Sequence, residues 1–527
     1  MSSLERQRSP LPLHLALGGL LGVGVLLRIW AYAVRGALWT DEAGLALNIV
    51  GRDFRDIARP FIYEQYAPYL YVITDKVVTL GLGTSEHALR FSSLLAGLLL
   101  LPAVAWLANR VGDRRAALFA LLLVVPNGIT LLYSTELKPY GQDALVASVL
   151  LLLALQVWAS AVPRTRAWLM LGACGVIAPW LSLPSIFVLA TIGLALLVNA
   201  WERRLGTRVF ATIFALGSVW LVSFATHYFV FLSADSKSAS LQGYWASMDA
   251  FAPFPVRSLG DLRWYVAKFF YLFNVLVTPT GFGMRYVAGA GFCVGVWLLG
   301  RTPSSAGDTS SGRAVALLWV APVPLVFAAS AAHKYIIADR MILFMAPLLV
   351  VPVAVSLSAL SRWRGLRSEL AAAALVAVFS IAPIAELPQR LAPPSPGPDI
   401  RSVLDHLKQN FRPGDRLYIE SQVVWLYAFY ARREAFDAPW SIADGYATLE
   451  NVTAPDALNG AHRVWALVPT LGHDAAHDPK AIPWIAHAEQ IVTQRFNEFG
   501  HQVDSVDGGN TRLYAFEVSN PSVAARQ

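Results

Sequence analysis

Apolar runs of about 20 residues recur along this chain from residue 11 to about residue 385, and an α-helix needs a run of about that length to cross the hydrocarbon core of a bilayer. Inside lipid the backbone N–H and C=O groups must be satisfied within the segment, so such runs can only be helices. Composition agrees: of 527 residues, 56% are hydrophobic and 15% charged, with a mean hydropathy of +0.49. An ordinary soluble protein is excluded. The net charge of +7 is spread in short clusters between the runs, which reads as topology signals rather than as a nucleic-acid surface. Cys174 and Cys293 both lie in apolar runs, so no disulfide framework is predicted.

Most basic clusters fall in alternate loops: Arg6 and Arg8; Arg110, Arg114 and Arg115; Arg164 and Arg166; Arg203, Arg204 and Arg208; Arg301 and Arg313; Arg362, Arg364 and Arg367. The positive-inside rule puts these loops in the cytoplasm. About eleven crossings follow, near 11–34, 88–109, 115–133, 141–161, 167–181, 184–200, 208–232, 283–300, 314–331, 341–360 and 369–385. The first run has no small-residue cleavage site after it and is expected to be a retained span. Residues 264–281 are also apolar, but counting them as a crossing would reverse the Arg301–Arg313 loop, so an interfacial helix is expected there.

Three outward segments are then long: the loops 35–87 and 233–282, and the tail. The predicted organisation is mainly α, with a polytopic membrane domain over 1–385, a Pro-rich linker over 386–400, and an outer-face α/β domain over 401–527. In that tail, helix-like IRSVLDHLKQNF precedes strand-like RLYIE (416–420), RVWALV (463–468) and TRLYAFEV (511–518). No internal repeat marks a duplicated transporter. Asn451-Val452-Thr453 matches a glycosylation sequon by pattern alone.

Three outward segments carry polar residues that a membrane chain rarely tolerates without reason. The first loop holds Thr40, Asp41 and Glu42, then Glu64, Gln65 and Tyr66 in YEQYAPY. A bland reading makes Thr40 an N-cap with two acids in the first helical turn. The turn YSTELKPYGQDAL carries Glu136, Lys138, Tyr140, Gln142 and Asp143. Pro139 suits the first position of the next span, leaving Lys138 at a helix mouth where a phosphate is favoured; Asp143 could equally be a dipole complement. The loop AAHKYIIADRMILF carries His333, Lys334, Tyr335, Asp339 and Arg340, with outward cations against the charge rule unless Asp339 neutralises Arg340 or Arg340 snorkels. Carboxylates facing outward cations suit a phosphate leaving group and a nucleophile that needs a base.

The segments LRIWAYAVRGALWTDEAG, YAPYLYVITDKVVTLGLGTSEHALRFSSLLAGLLLL, YSTELKPYGQDAL and RMILFMAPLLVV resemble the GT-C fold membrane glycosyltransferases, specifically the superfamily of protein O-mannosyltransferases and lipid A aminoarabinose transferases. The likeness covers roughly residues 11–360. It implies an inverting transfer of one sugar from a polyprenyl-phosphate carrier to a lipid, glycan or protein acceptor, on the periplasmic face of a bacterial inner membrane. Asp41 would be the base and Glu42 its neighbour in orientation or acceptor contact. Lys138 and Arg340, with Lys334 and His333, would hold the donor phosphate; Glu136, Asp143 and Tyr140 would hold the sugar or a divalent ion; Glu64, Gln65 and Tyr66 would form a substrate loop. Membrane lipids are implied as surroundings and nucleic acid is not a partner. No metal is expected to be obligatory, and a divalent cation stays open, since no His/Cys cluster with zinc-like spacing occurs. The chain departs from the pattern in LSLPSIF (181–187), which lacks a His that many members have, and in YEQYAPY, which has one Pro rather than two. A polyprenyl-linked sugar flippase and a non-catalytic envelope scaffold are the competing readings. A flippase should place its charges at the bilayer midplane, whereas these lie at the outer ends of spans.

Overall fold

The computed structural model of the protein describes all residues except 1–10, 60, 62–64, 159–164, 233–238, 278–282, 302–310, 339, 364, 393–398, 434–435, 437–439, 443–460, 471–481 and 519–527. Glu64, Asp339 and the Asn451 sequon therefore lie outside the described residues. The chain forms two compact units. One comprises Met1–Val34, Phe54–Pro60 and Tyr66–Ala392; the other comprises Arg35–Asp53, Phe61–Gln65 and Pro393–Gln527.

The first unit is helical. In chain order it contains α1 (Leu11–Val34), then α3 (Tyr69–Leu82) and α4 (Glu86–Val111), with α2 (Thr40–Val50) belonging to the other unit. There follow α5 (Arg114–Val124), α6 (Gly128–Leu132), α7 (Tyr140–Trp158), α8 (Thr165–Leu181), α9 (Ser185–Glu202) and α10 (Thr207–His227). After these come α11 (Ala239–Ser247), α12 (Leu259–Tyr271), α13 (Met284–Arg301), α14 (Gly312–Val320), α15 (Pro322–Ala331), α16 (Ala346–Ser361) and α17 (Leu366–Leu391).

Eight helical segments are long and apolar enough to cross a membrane by length and composition: Leu13–Val34, Glu86–Val111, Tyr140–Trp158, Ser185–Glu202, Thr207–Leu232, Gly312–Ala331, Leu343–Ser361 and Leu366–Leu391. The chain is an integral membrane protein. The other three expected crossings are less regular. Residues 115–133 divide into α5 and α6, α8 is apolar but shorter, and α13 begins and ends beside Arg285 and Arg301. Segment 264–281 does not form a crossing helix: α12 has 13 residues, about 20 Å of rise, and ends in a 3-10 turn at Leu272–Val275. The expected linker over 386–400 also changes, since α17 continues to Leu391.

Burial sorts the spans into layers. The most apolar windows of α16, α7 and α4 are 83%, 72% and 67% buried, whereas those of α1 and α10 are 17% buried. The first three form the protein interior, and the last two leave most of their apolar surface to lipid. One end of this bundle gathers the basic loops. Arg313 pairs with Glu202 at 3.1 Å, Arg115 with Glu369 at 3.0 Å, and Arg362 with Asp113. Asp113 also caps α5, accepting from Ala116 N at 2.8 Å. The loops assigned to one side by charge alone are therefore joined in two pairs, Glu202 with Arg313, and Asp113 and Arg115 with Arg362 and Glu369.

The second unit is built on a five-stranded sheet, β1 (Arg416–Ile419), β2 (Trp440–Ile442), β3 (Arg463–Pro469), β4 (Gly500–Asp507) and β5 (Thr511–Val518), in the order β2-β1-β3-β5-β4. β1 is parallel to both β2 and β3, while β5 is antiparallel to β3 and β4. Helices α18 (Ile400–Asn410), α19 (Val424–Arg433) and α20 (Ile482–Phe499) accompany the sheet. Tyr418, Val464, Ala466, Val492, Phe496 and Phe516 form its core. α2, from the first outer loop, packs against α19; the tyrosine hydroxyl of Tyr430 accepts from Leu38 N at 2.9 Å.

Candidate functional site

The site residues predicted from sequence divide between the two units. In the second unit, α2 begins one residue earlier than an N-cap at Thr40 would allow. Trp39 is the cap, and Glu42 Oε2 accepts its backbone N–H at 3.2 Å. Glu42 is fully buried, whereas Asp41 beside it is half-buried. The reason is helical geometry, since successive side chains diverge by about 100°. Gln65 Nε2 donates to Asp41 Oδ1 at 3.3 Å. Gln65 reaches α2 because position 44 is glycine: a Cβ there would lie 2.9 Å from Gln65 Nε2 and 3.1 Å from the Trp425 ring. Gln65 thus brings a neutral amide to the Asp41 carboxylate.

In the first unit, the turn 133–139 delivers Glu136 and Lys138 into a buried setting, 3% and 6% exposed. Helix α7 starts at Tyr140, and Pro139 supplies the carbonyl that accepts its first bond, from Asp143 N at 2.9 Å. The Ser93 hydroxyl of α4 donates to Lys138 O at 3.4 Å, so the turn is anchored from behind. Arg340 lies with its guanidinium 6.0 Å from the Tyr140 ring centroid and 5.8 Å from that of Trp245, a cation between two aromatic faces. Tyr133 packs edge-on to Tyr140 at 5.0 Å. Asp143 is buried beside the Ser182 hydroxyl. Burial, then the nearby Asp143 and Tyr140, push the Tyr335 phenol well above its usual range, so Tyr335 stays a neutral hydroxyl, donating to Met341 O.

This brings Arg340, Tyr140, Asp143 and the Lys138 turn together at one end of α7. His333 and Lys334 stand apart from that set. Both are exposed, and His333 stacks on Phe251 at 4.6 Å. Tyr66 is exposed. Sequence reading gave no role to Trp245 or Ser182, and named Tyr335 without assigning it one. Tyr335 was legible as an aromatic in the cation-bearing loop, but Trp245 and Ser182 carry no local signal and enter only through packing. Among the described residues, no group of three His, Cys, Asp or Glu could hold a metal ion.

The fold has solved counterparts. ArnT from Cupriavidus metallidurans bound to undecaprenyl phosphate is 14% identical with a TM-score of 0.56, covering 95% of this chain and 98% of that one. The Archaeoglobus fulgidus oligosaccharyltransferase in complex with Zn and sulfate is 15% identical with a TM-score of 0.52, covering 94% of this chain and 72% of that one. The fold is GT-C. No family model and no curated protein sequence matches the chain. The polar residues described above sit at helix ends and in the loops between helices.

Proposed function

We propose that this GT-C protein is an inverting glycosyltransferase that moves one sugar from a polyprenyl-phosphate carrier to an acceptor hydroxyl on the outer face of a bacterial inner membrane. The observation that carries the reading is the contrast within the acidic pair. Glu42 is buried in an N-cap, and Asp41 is left accessible and oriented by Gln65. In the reaction the acceptor oxygen attacks the anomeric carbon, the bond from that carbon to the phosphate oxygen breaks, and the leaving phosphate keeps the electron pair. Asp41 takes the acceptor's proton, a role that requires an ionised carboxylate within hydrogen-bond reach. The growing negative charge on the leaving oxygen is met by Lys138 and by Arg340, whose aromatic bracket holds it in place. Asp143, Tyr140 and Glu136 line the same region and suit the sugar hydroxyls.

ArnT binds undecaprenyl phosphate, which supports a carrier of that class here. The decisive experiment is Asp41→Asn in the full-length protein. It should keep expression and thermal stability while lowering transfer by about 10²–10⁴-fold, the usual worth of a general base. An Asn variant with wild-type turnover would remove Asp41 as the base. Sugar translocation without transfer would favour the flippase reading instead.

A further inference from the structure

α2, Gln65, β1 and α19 belong to one compact unit, and within it α19 meets the helix of Asp41 at three places. Ahead of α2, the Tyr430 hydroxyl accepts from Leu38 N at 2.9 Å. At its far end, the Arg432 guanidinium stands so close to Gly51 that a Cβ there would lie 2.8 Å from Nη1, a cation at the negative end of the helix dipole. Between the two comes Trp425, whose ring would lie 3.1 Å from a Cβ at position 44. Glycine weakens the interior of a helix. At position 44 its missing side chain admits both the Gln65 amide, 2.9 Å from that same point, and the Trp425 ring.

Amide and ring are therefore neighbours on one face of α2, and the amide is the one that reaches Asp41. Gln65 is 3% exposed and donates to Asp41 Oδ1 at 3.3 Å. A long amide side chain keeps a single rotamer only where packing removes the others, because fixing it costs conformational entropy. A large rigid ring beside the amide supplies that restriction without adding a charge next to the carboxylate.

The place of Trp425 is fixed in turn from the sheet. Beyond the end of β1, Glu420 N continues the pairing with β3 by donating to Leu467 O at 2.9 Å. The Glu420 side chain is fully buried; Oε2 accepts from Gln422 N at 2.7 Å and Oε1 from Ser421 Oγ at 2.9 Å. A buried carboxylate is tolerated only where donors meet it, so this acid dictates the shape of the turn. Val423 N then donates to Glu420 O at 3.0 Å and Tyr427 N to Val423 O at 2.9 Å, which opens α19 with Trp425 in its first turn. In open α/β sheets the carboxyl end of a strand flanked by parallel neighbours is the working end. Here β1, between β2 and β3, carries at that end the support of the helix that bears the base.

We propose that Trp425 is a positioning residue for transfer: its ring confines the Gln65 amide against Asp41, so the C-terminal domain sets the aim of the base. The proposal rests on Asp41 being that base, and gives the tail a part in the reaction beyond holding α2 in place. Trp425 acts through Gln65 and touches no substrate.

The test uses the full-length protein and two readouts, one of them independent of the substrates. In the first, Asp41 is modified with a water-soluble carbodiimide over a pH series and the modified peptide is quantified by mass spectrometry. The reagent takes the protonated carboxyl, so the midpoint reports how tightly Asp41 holds its proton. In the second, the initial rate of transfer is followed by product mass in membranes from cells that lack the chromosomal copy and express each variant, with the donor and acceptor of those membranes as probes.

Trp425→Ala should raise the labelling midpoint by about 0.5–1 pH unit, the worth of one donor lost from a carboxylate. It should move the acidic limb of the rate profile upward by the same amount and lower the optimal rate roughly tenfold, the scale of a misaimed group. Trp425→Phe should recover most of both. Gly44→Ala leaves the tail untouched and improves helix propensity, yet its methyl displaces the amide tip, so it should reproduce the Trp425→Ala pattern without lowering Tm. In a Gln65→Ala background, Trp425→Ala should add nothing to either readout. If Trp425→Ala yields too little folded protein, Trp425→Leu takes its place and the same midpoint decides. A wild-type midpoint and rate, or an effect that adds in full to that of Gln65→Ala, would overturn the positioning role. So would a lower Tm with an unmoved midpoint and an unchanged rate per folded molecule, which would leave Trp425 as packing alone. Labelling that shifts as described while transfer is unaffected would instead defeat Asp41 as the base.

Discussion

Asp41 and Glu42 are adjacent, chemically alike and placed in opposite environments. Glu42 holds the Trp39 N–H inside the fold, a contact that supports the start of α2. Glu42→Ala should lower stability by about 0.5–2 kcal/mol, the usual value of an N-terminal cap, visible as a lower Tm, with residual turnover following the folded fraction; Glu42→Gln should recover most of it. A second acid, Asp75 of α3, drew no attention in the sequence, yet it is 1% exposed and accepts from the Ser92 hydroxyl. Burial pushes its carboxyl up to about 7, against the opposing effect of the Ser92 hydrogen bond and the nearby Tyr71 hydroxyl. The folded state therefore binds a proton that the unfolded state releases. Stability from this group is complete below the unfolded value near 4, falls as pH rises toward 7, and is flat above, for a total on the order of 4 kcal/mol. Thermal unfolding between pH 5 and 8 should show the midpoint falling in the wild type and nearly level in Asp75→Asn. A wild-type midpoint that rises with pH would contradict this environment for Asp75.

At the scale of elements, periodicity and length located most spans and three of the strands, because a crossing helix and a buried strand impose their patterns on contiguous residues. Residues 115–133 escaped that logic. Their apolar count suits one span, but Pro126-Asn127 divides it: Asn127 Oδ1 caps α6 through Thr130 N at 3.0 Å, while its amide donates to Val275 O at 3.0 Å. The Pro-Asn-Gly triplet was a readable break signal, overridden by hydropathy. Close helix packing was not readable at all. Gly295 of α13 faces α16 so tightly that a Cβ would lie 1.9 Å from Pro352 O. Because backbone cannot yield as a side chain tip can, Gly295→Val should destabilise by about 1–3 kcal/mol or more. The measurement is the Tm of detergent-solubilised protein, and an unchanged value would mean that α13 and α16 do not approach as described.

At the scale of the molecule, the first outer loop is shared out. Its α2 belongs to the unit of the C-terminal sheet, packing on α19 with Leu38 held by Tyr430. Removing residues 393–527 should therefore leave a chain that still inserts into membranes, since the apolar helices lie before the cut, while transfer is abolished because the helix bearing Asp41 loses its support. Membrane flotation together with a transfer assay separates the two outcomes; a truncated chain that retains transfer would make the tail dispensable for positioning Asp41. What the sequence determined by itself was the membrane class, the helical character, the loops that gather at one end, and the residue types available for chemistry, all consequences of local composition and of lipid's demand for self-satisfied backbone. Only tertiary structure decided which carboxylate is buried and which is accessible, that Gln65 orients Asp41, that aromatics bracket Arg340, and that α2 leans on the tail. Those outcomes depend on contacts between residues distant in the chain, which no local pattern encodes.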